Sequence, residues 1–281
     1  MHTERLARGL DAKIVDVLVA GMSMQAPQSM RKTLVARLHE MGSVHLSGRS
    51  LRLDVRLAED YVGELLSNLD LLEVEQRIAQ SVDATLLCLE SPGALTELGA
   101  FASATTLGRK LYVWNDRALR TKRSFVNLGP VRHIQSRFGR DHVLWVDPRE
   151  PSSVVRPLNR VIRAGYSQRR GHGRNNMFTA QRWSLLSLYV FDSVAEGTLR
   201  AHWGRTVPNR GLLFEMARDN LFRFRAIQRE GDRLFLTPKG VREADDLMGL
   251  LTSKERQVLD YLRTRVLTSK LVEGIDEAVF A

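Results

Sequence analysis

The chain has 281 residues, 43% of them hydrophobic, which is enough for one large domain or two ordinary ones with a real core. A formal charge of +10 and a pI near 10.2 favour polyanionic partners. The single cysteine, Cys88, excludes an internal disulfide, no apolar run reaches the length of a membrane span, and the first residues lack a secretory core. A cytoplasmic protein with no membrane partner is therefore expected.

Residues 13–20 (KIVDVLVA) read as a buried strand and Gly21-Met22-Ser23 as the turn after it. Residues 30–41 have helical spacing, with Leu34, Leu38 and Met41 on one side, and residues 71–80 form a second amphipathic helix through Leu72, Val74 and Ile78. One strand is expected somewhere within 44–58. Residues 83–89 (DATLLCL) are almost all apolar, as in a strand covered on both faces, and 110–114 and 142–146 are two shorter strands. Strands alternating with helices predict an α/β fold with a parallel, Rossmann-like sheet.

A helix over 153–163 closes this first domain, assigned to 1–163. Residues 164–176 (AGYSQRRGHGRNN) have the composition of a basic linker. Beyond it the alternation stops. Helices are expected over 181–194 and 209–224, a hairpin over 225–237, and helices over 238–248 and 254–266. Helices followed by a basic hairpin and a further helix are the order of a winged helix, so 177–281 is expected to be a C-terminal, mostly helical domain of that kind. Its presumed recognition helix would expose Arg210, Arg218 and Arg223, but also Glu215 and Asp219, which argues against base-specific reading. Arg225, Arg229, Arg233 and Lys239 of the hairpin could contact phosphates.

Acids are absent from 117–140 and again from 151–191, whereas arginines accumulate in both stretches. Lys122, Arg123, Arg169, Arg170 and Arg174 are the cations assigned to phosphate or nucleic-acid contact. Seven scattered histidines with no paired spacing and one cysteine supply no metal site, and no phosphate loop is present.

The most informative segment is 90–101, ESPGALTELGAF, directly after the strand 83–89. Ligands of parallel sheets bind beyond the carboxyl ends of the strands, where this segment must lie. Ser91 can cap the following helix, Pro92 suits its first turn, and Gly93 lets a ligand approach the backbone. Glu97 falls one turn into that helix, on the side of Gly93 and Phe101, while Leu95, Leu98 and Ala102 can pack on the sheet. On pattern alone Glu97 could equally be a solvated helix carboxylate, and Glu90 a strand-end residue capping backbone donors.

Together with 110–114 and with TKRSFVNLGPVR at 121–132, this segment resembles the effector proteins of type II retrons. In that family a nucleoside-deoxyribosyltransferase-like domain is fused to a winged helix. The resemblance is dense from about residue 71 to residue 144, and before that it thins to 17–23 and 58–61. It implies that Glu97 is the catalytic glutamate, that Asn127 helps position it, and that Gly21, Met22, Ser23, Glu90, Ser91, Pro92 and Gly93 line the substrate site. It also implies an antiphage toxin held inactive by a reverse transcriptase and its branched RNA–DNA product, in a homo-oligomer or larger assembly.

A carboxylate beside an anomeric carbon can attack it or stabilise the oxocarbenium ion formed as the base departs. With one obvious carboxylate and no clear acid, NAD is the favoured substrate, because its nicotinamide leaves without protonation. No further cofactor is then expected. An N-glycosidase or base-exchange enzyme acting on nucleosides or deoxynucleotides is the alternative within enzymes. A DNA-binding regulator with a nucleotide-sensing domain is the alternative outside them.

Overall fold

A parallel sheet needs strands that tolerate burial on both faces, and β1 (Ile14–Ala20) is buried at every residue. The computed structural model describes residues 2–27, 29–46, 48–61, 70–168, 176–204 and 210–273. The chain divides into two compact units, Ile14–Gly173 and Met1–Lys13 joined with Arg174–Ala281. Arg169, Arg170 and Arg174 lie outside the described residues.

In the first unit β1 is followed by α2 (Met30–Met41), and the N-terminal helix α1 (His2–Asp11) belongs to the other unit. The segment expected to hold one strand holds two, β2 (Ser43–Leu46) antiparallel to β3 (Arg49–Leu57). Then come α3 (Leu71–Ser81), β4 (Ala84–Cys88), α4 (Pro92–Ser103), the single turn α5 (Thr105–Gly108) and β5 (Leu111–Asp116). A short helix α6 (Arg132–Phe138) leads into the edge strand β6 (Val143–Val146). The sheet order is β2-β3-β1-β4-β5-β6, parallel except for β2. The strand order therefore reverses beside β1, and the crevice beyond the carboxyl ends of β1 and β4 is the topological switch point.

The unit closes with α7 (Pro151–Val155) and α8 (Leu158–Gln168), so the helix runs past the expected linker start at residue 164. Gly165 explains the misreading. A Cβ there would lie 2.8 Å from the Ala84 Cβ and 2.9 Å from the Asp83 carbonyl oxygen, so this glycine lets α8 press against β4 rather than break it. Among the buried polar residues of the sheet, Asp16 carries a charge; it is fully buried and paired with Arg56 at 2.9 Å.

The second unit is built around α9 (Met177–Phe191), which is buried on nearly every side. The first helix packs on α9, where the buried Asp11 accepts from Thr179 Oγ1 at 2.5 Å and pairs with the buried Arg182 at 2.7 Å. That pairing assigns residues 1–13 here and not to the expected domain 1–163. Next come β7 (Ser193–Ala195), α10 (Glu196–Gly204) and α11 (Arg210–Arg223). The hairpin β8 (Ile227–Glu230) and β9 (Arg233–Leu236) pairs with β7 in a three-stranded antiparallel sheet. Two helices, α12 (Pro238–Gly249) and α13 (Ser253–Glu273), complete the described residues. None of the described helices is long and apolar enough to cross a membrane.

Several cations expected to be presented on this unit are engaged within it. Arg218 is only partly exposed and is bonded to Asp219 and Glu196. Arg229 also reaches Glu196, and Arg233 donates to Ser193 Oγ at 2.9 Å. Lys239 Nζ lies 5.2 Å from the centre of the Phe224 ring.

Candidate active site

Two turns meet at the switch point. Gly21 follows β1 with φ 141°, and a Cβ on it would lie 2.8 Å from the Cys88 carbonyl oxygen, so the close approach of the two strand ends requires glycine. Its neighbour Met22 accepts at its carbonyl from Arg31, whereas Ser23 is exposed and its Oγ accepts from the Gln25 amide at 3.3 Å. From the other strand, Ser91 caps α4 by accepting from the Ala94 amide at 3.2 Å, and Pro92 and Gly93 are exposed in its first turn.

Glu90 is committed elsewhere. Its carboxylate accepts from Ser29 Oγ at 3.0 Å, from the Arg31 amide at 3.1 Å and from the Met30 amide, which caps the first turn of α2. This is the backbone-capping alternative read in the sequence. The effect is structural: Glu90 ties the end of β4 to the helix that follows β1.

Helix α4 is seated by Ala94, Leu98, Phe101 and Ala102, all buried at i, i+4, i+7 and i+8. Leu95, expected to pack on the sheet, is 41% exposed, because it lies off that stripe. Glu97 sits at the stripe's margin and is half-buried. Its Oε2 is buried and has no hydrogen-bond partner among the described residues. Its carboxyl is raised from 4.5 to about 7, chiefly by burial and then by the charge of Glu75, with Arg31 opposing and Glu59 adding a smaller rise.

Three of those neighbours were not singled out in the sequence. Arg31, on α2, is 3% exposed and bonds the Val19 carbonyl at 3.2 Å, the Met22 carbonyl at 3.2 Å and the carboxylate of Glu59. Glu75, on α3, is raised above its ordinary value by burial and then by Glu59, with Arg31 opposing. The signal for Glu75 was present: it interrupts the apolar row Leu71, Glu75, Ile78 on one side of a helix that otherwise buries Val74, Ile78 and Ala79. The signal for Arg31 was weaker, since a cation one residue into a helix usually belongs in solvent.

Asn127 braces its own loop. Its Nδ2 donates to the Leu119 carbonyl at 2.7 Å and the Lys122 carbonyl at 2.8 Å, and its amide donates to Ser124 Oγ. The π-helical turn Asn127–Val131 packs against α4, while Lys122 and Arg123 are exposed on the loop. Gly21 and Met22 thus follow β1, Ser91 and Gly93 follow the neighbouring β4, Glu97 lies one turn farther along α4, and the Asn127 side chain braces its own loop.

Comparison with known proteins gives the chain's family. A family model described as the STM3845 retron effector protein matches residues 27–202. A protein of the Escherichia coli retron Ec86, named as a ribosyltransferase/DNA-binding protein, is 32% identical over 209 residues, 68% of this chain and 64% of its own length. Its Escherichia coli counterpart from retron Ec73, similarly named, is 37% identical over 65 residues, 23% of this chain and 21% of its own. The matched region thus spans less than two thirds of either relative. With most of the chain covered by the family model, including α3, α4 and every carboxylate around Glu97, the chain belongs to the retron effector family.

Proposed function

We propose that the Glu97 site breaks the N-glycosidic bond of NAD, releasing nicotinamide and, after water adds to the anomeric carbon, ADP-ribose. The observation that carries this reading is the Glu97 carboxyl, half-buried at the switch point with one oxygen that has no hydrogen-bond partner among the described residues. An unpartnered buried carboxylate oxygen is costly unless something else meets it, and an electron-poor anomeric carbon does so. As the C1′–N bond breaks, the pair of electrons leaves with the ring nitrogen, and the Glu97 carboxylate stabilises or captures the cationic sugar. The attacking water gives up one proton, and nicotinamide departs neutral. Glu59, Glu75 and Glu97 together supply a negative field in which the cationic nicotinamide ring of the substrate is favoured.

A second reading rests on Glu75. Burial and the charge of Glu59 raise its carboxyl above the ordinary value, the direction that a group protonating a departing purine or pyrimidine needs. The sequence favoured NAD partly because no acid was evident, so Glu75 strengthens the claim of nucleosides and deoxynucleotides.

The order of α9, β7, α10, α11, the hairpin β8–β9 and α12 supports a winged-helix reading of the C-terminal unit. The names of the Escherichia coli relatives, ribosyltransferase/DNA-binding, accord with both halves. As a retron effector, the chain would act as an antiphage toxin restrained by the reverse transcriptase and its RNA–DNA product.

The test is base release. Purified protein, alone and with its reverse transcriptase complex, is incubated with NAD and with a nucleotide panel, and products are separated chromatographically. Nicotinamide release that falls at least roughly a hundredfold in Glu97→Gln supports the proposal. Release of another base supports the second reading, and turnover unaffected by Glu97→Gln removes Glu97 from the chemistry.

A further inference from the structure

We propose that an open cleft at the end of the edge strand β6 binds a phosphate-bearing nucleotide unit, with its base against Trp145 and its phosphate among Arg117, Arg156 and Arg160. The cleft has a volume of about 410 Å³, and Trp145, Pro157 and Glu150 line it with those three arginines. That volume falls in the range of small-ligand sites, roughly 300–1,000 Å³. No residue of 21–23 or 90–97 lines it, so it is separate from the Glu97 crevice, and the inference does not depend on what Glu97 does.

The cations come from two distant acid-free stretches. Arg117 directly follows β5, whereas Arg156 and Arg160 are four residues apart at the junction of α7 and α8. Folding brings them to one cleft. Arg117 and Arg156 make no ion pair with a described residue. Arg160 reaches Asp141 at 3.5 Å, but both side chains are mostly exposed, so the pair can be exchanged for a phosphate. The opposing acid, Glu150, stands alone among the lining residues and accepts from Ser152 Oγ at 2.7 Å. Within the lining three guanidiniums face one carboxylate, with Asp141 beside Arg160 and Asp147 within reach of the charge of Arg117 outside it, and the planar forks suit phosphate oxygens.

Trp145 narrows the ligand further. It is the half-buried residue of a strand whose other three residues are buried. A tryptophan left partly open beside clustered arginines offers a stacking surface that inorganic phosphate would not use and a base would.

The test uses the full chain with two probes, AMP and a fluorescein-labelled 12-nucleotide oligo-dT strand, measured by calorimetry and by anisotropy. Trp145→Ala and the double variant Arg156→Ala/Arg160→Ala should each weaken binding at least tenfold, with unchanged melting temperatures. Trp145→Phe should retain most of the affinity, which distinguishes stacking from a folding defect. If AMP binds, the site takes a free nucleotide. If only the strand binds, the unit belongs to a single strand, and the double variant should flatten the salt dependence by roughly 0.7 in slope per lost phosphate contact. Binding of neither probe, or binding that persists in both alanine variants, overturns the proposal.

Discussion

Replacing Glu97 with glutamine should stabilise the fold at alkaline pH while destroying activity. The folded carboxyl takes its proton at about 7 against an ordinary 4.5, chiefly because of burial. The folded state therefore keeps a proton that the unfolded chain releases, and stability falls as pH rises from about 4.5 to about 7 and is flat above. At roughly 1.4 kcal/mol per pH unit the whole displacement is worth about 3.4 kcal/mol. About a quarter of it is already spent by pH 5, and contact with solvent halves the remainder, leaving roughly 1 kcal/mol between pH 5 and pH 8. Glutamine has no charge to bury, so the variant should gain on the parent by that amount over this interval, equivalent to about 2–4 °C in melting temperature. Urea unfolding at the two pH values, followed by the fluorescence of the buried Trp114 in the same unit, measures the difference. A stability gap that is equal at pH 5 and pH 8 would refute the idea that Glu97 is held in an unfavourable charged state.

On the proposed chemistry, base release from NAD should rise with pH through about 7 as Glu97 ionises, and a flat rate from pH 6 to pH 8 would speak against a carboxylate role. Glu75→Gln removes a charge that raises Glu97, so the same rise should move to lower pH, and an unmoved profile would mean that the two carboxyls act independently. Gly165→Ala should cost roughly 1–3 kcal/mol by pushing α8 off β4, where an alanine in an open helix would instead stabilise, and thermal melting decides between the signs. Arg182→Met leaves the buried Asp11 without its guanidinium and should cost about 3–5 kcal/mol, with Asp11→Asn in the same chain recovering part of the loss.

The sheet was legible because burial on both faces writes itself as apolar runs: four of its six strands fall within a residue or two of where their composition puts them. The hairpin β2–β3 was not, because β3, half-exposed between the edge strand β2 and β1, mixes arginine, aspartate and leucine, and its Arg52, Asp54 and Arg56 compensate one another only in three dimensions. Gly165 misled for a similar reason, since a glycine chosen for contact and a glycine chosen for flexibility look alike in a string. The helix over residues 2–11 has no signal of its packing in the string, because its partner, α9, lies more than 160 positions away. Glu97 was reached through a resemblance as well as through its place after β4. What surrounds it came from the structure, because Arg31, Glu59 and Glu75 arrive from three separate segments.

Those three neighbours also explain how an acidic site persists in a chain of +10 charge. Net charge acts at long range and is screened by salt within roughly 8–10 Å, whereas Glu97 responds to groups inside its own crevice. Arg31 is the nearest counter-charge there, but its guanidinium is already divided between two backbone carbonyls and Glu59. It can moderate the repulsion among the carboxylates without neutralising all of them. The result is a half-buried carboxyl balanced between its two protonation states near neutrality, and a cationic ring entering the crevice would tip that balance toward the ionised form. On the proposed chemistry, substrate binding and activation of Glu97 would be one event: the charge that draws the ring in would be the charge the reaction needs, developing fully only when the ring is there.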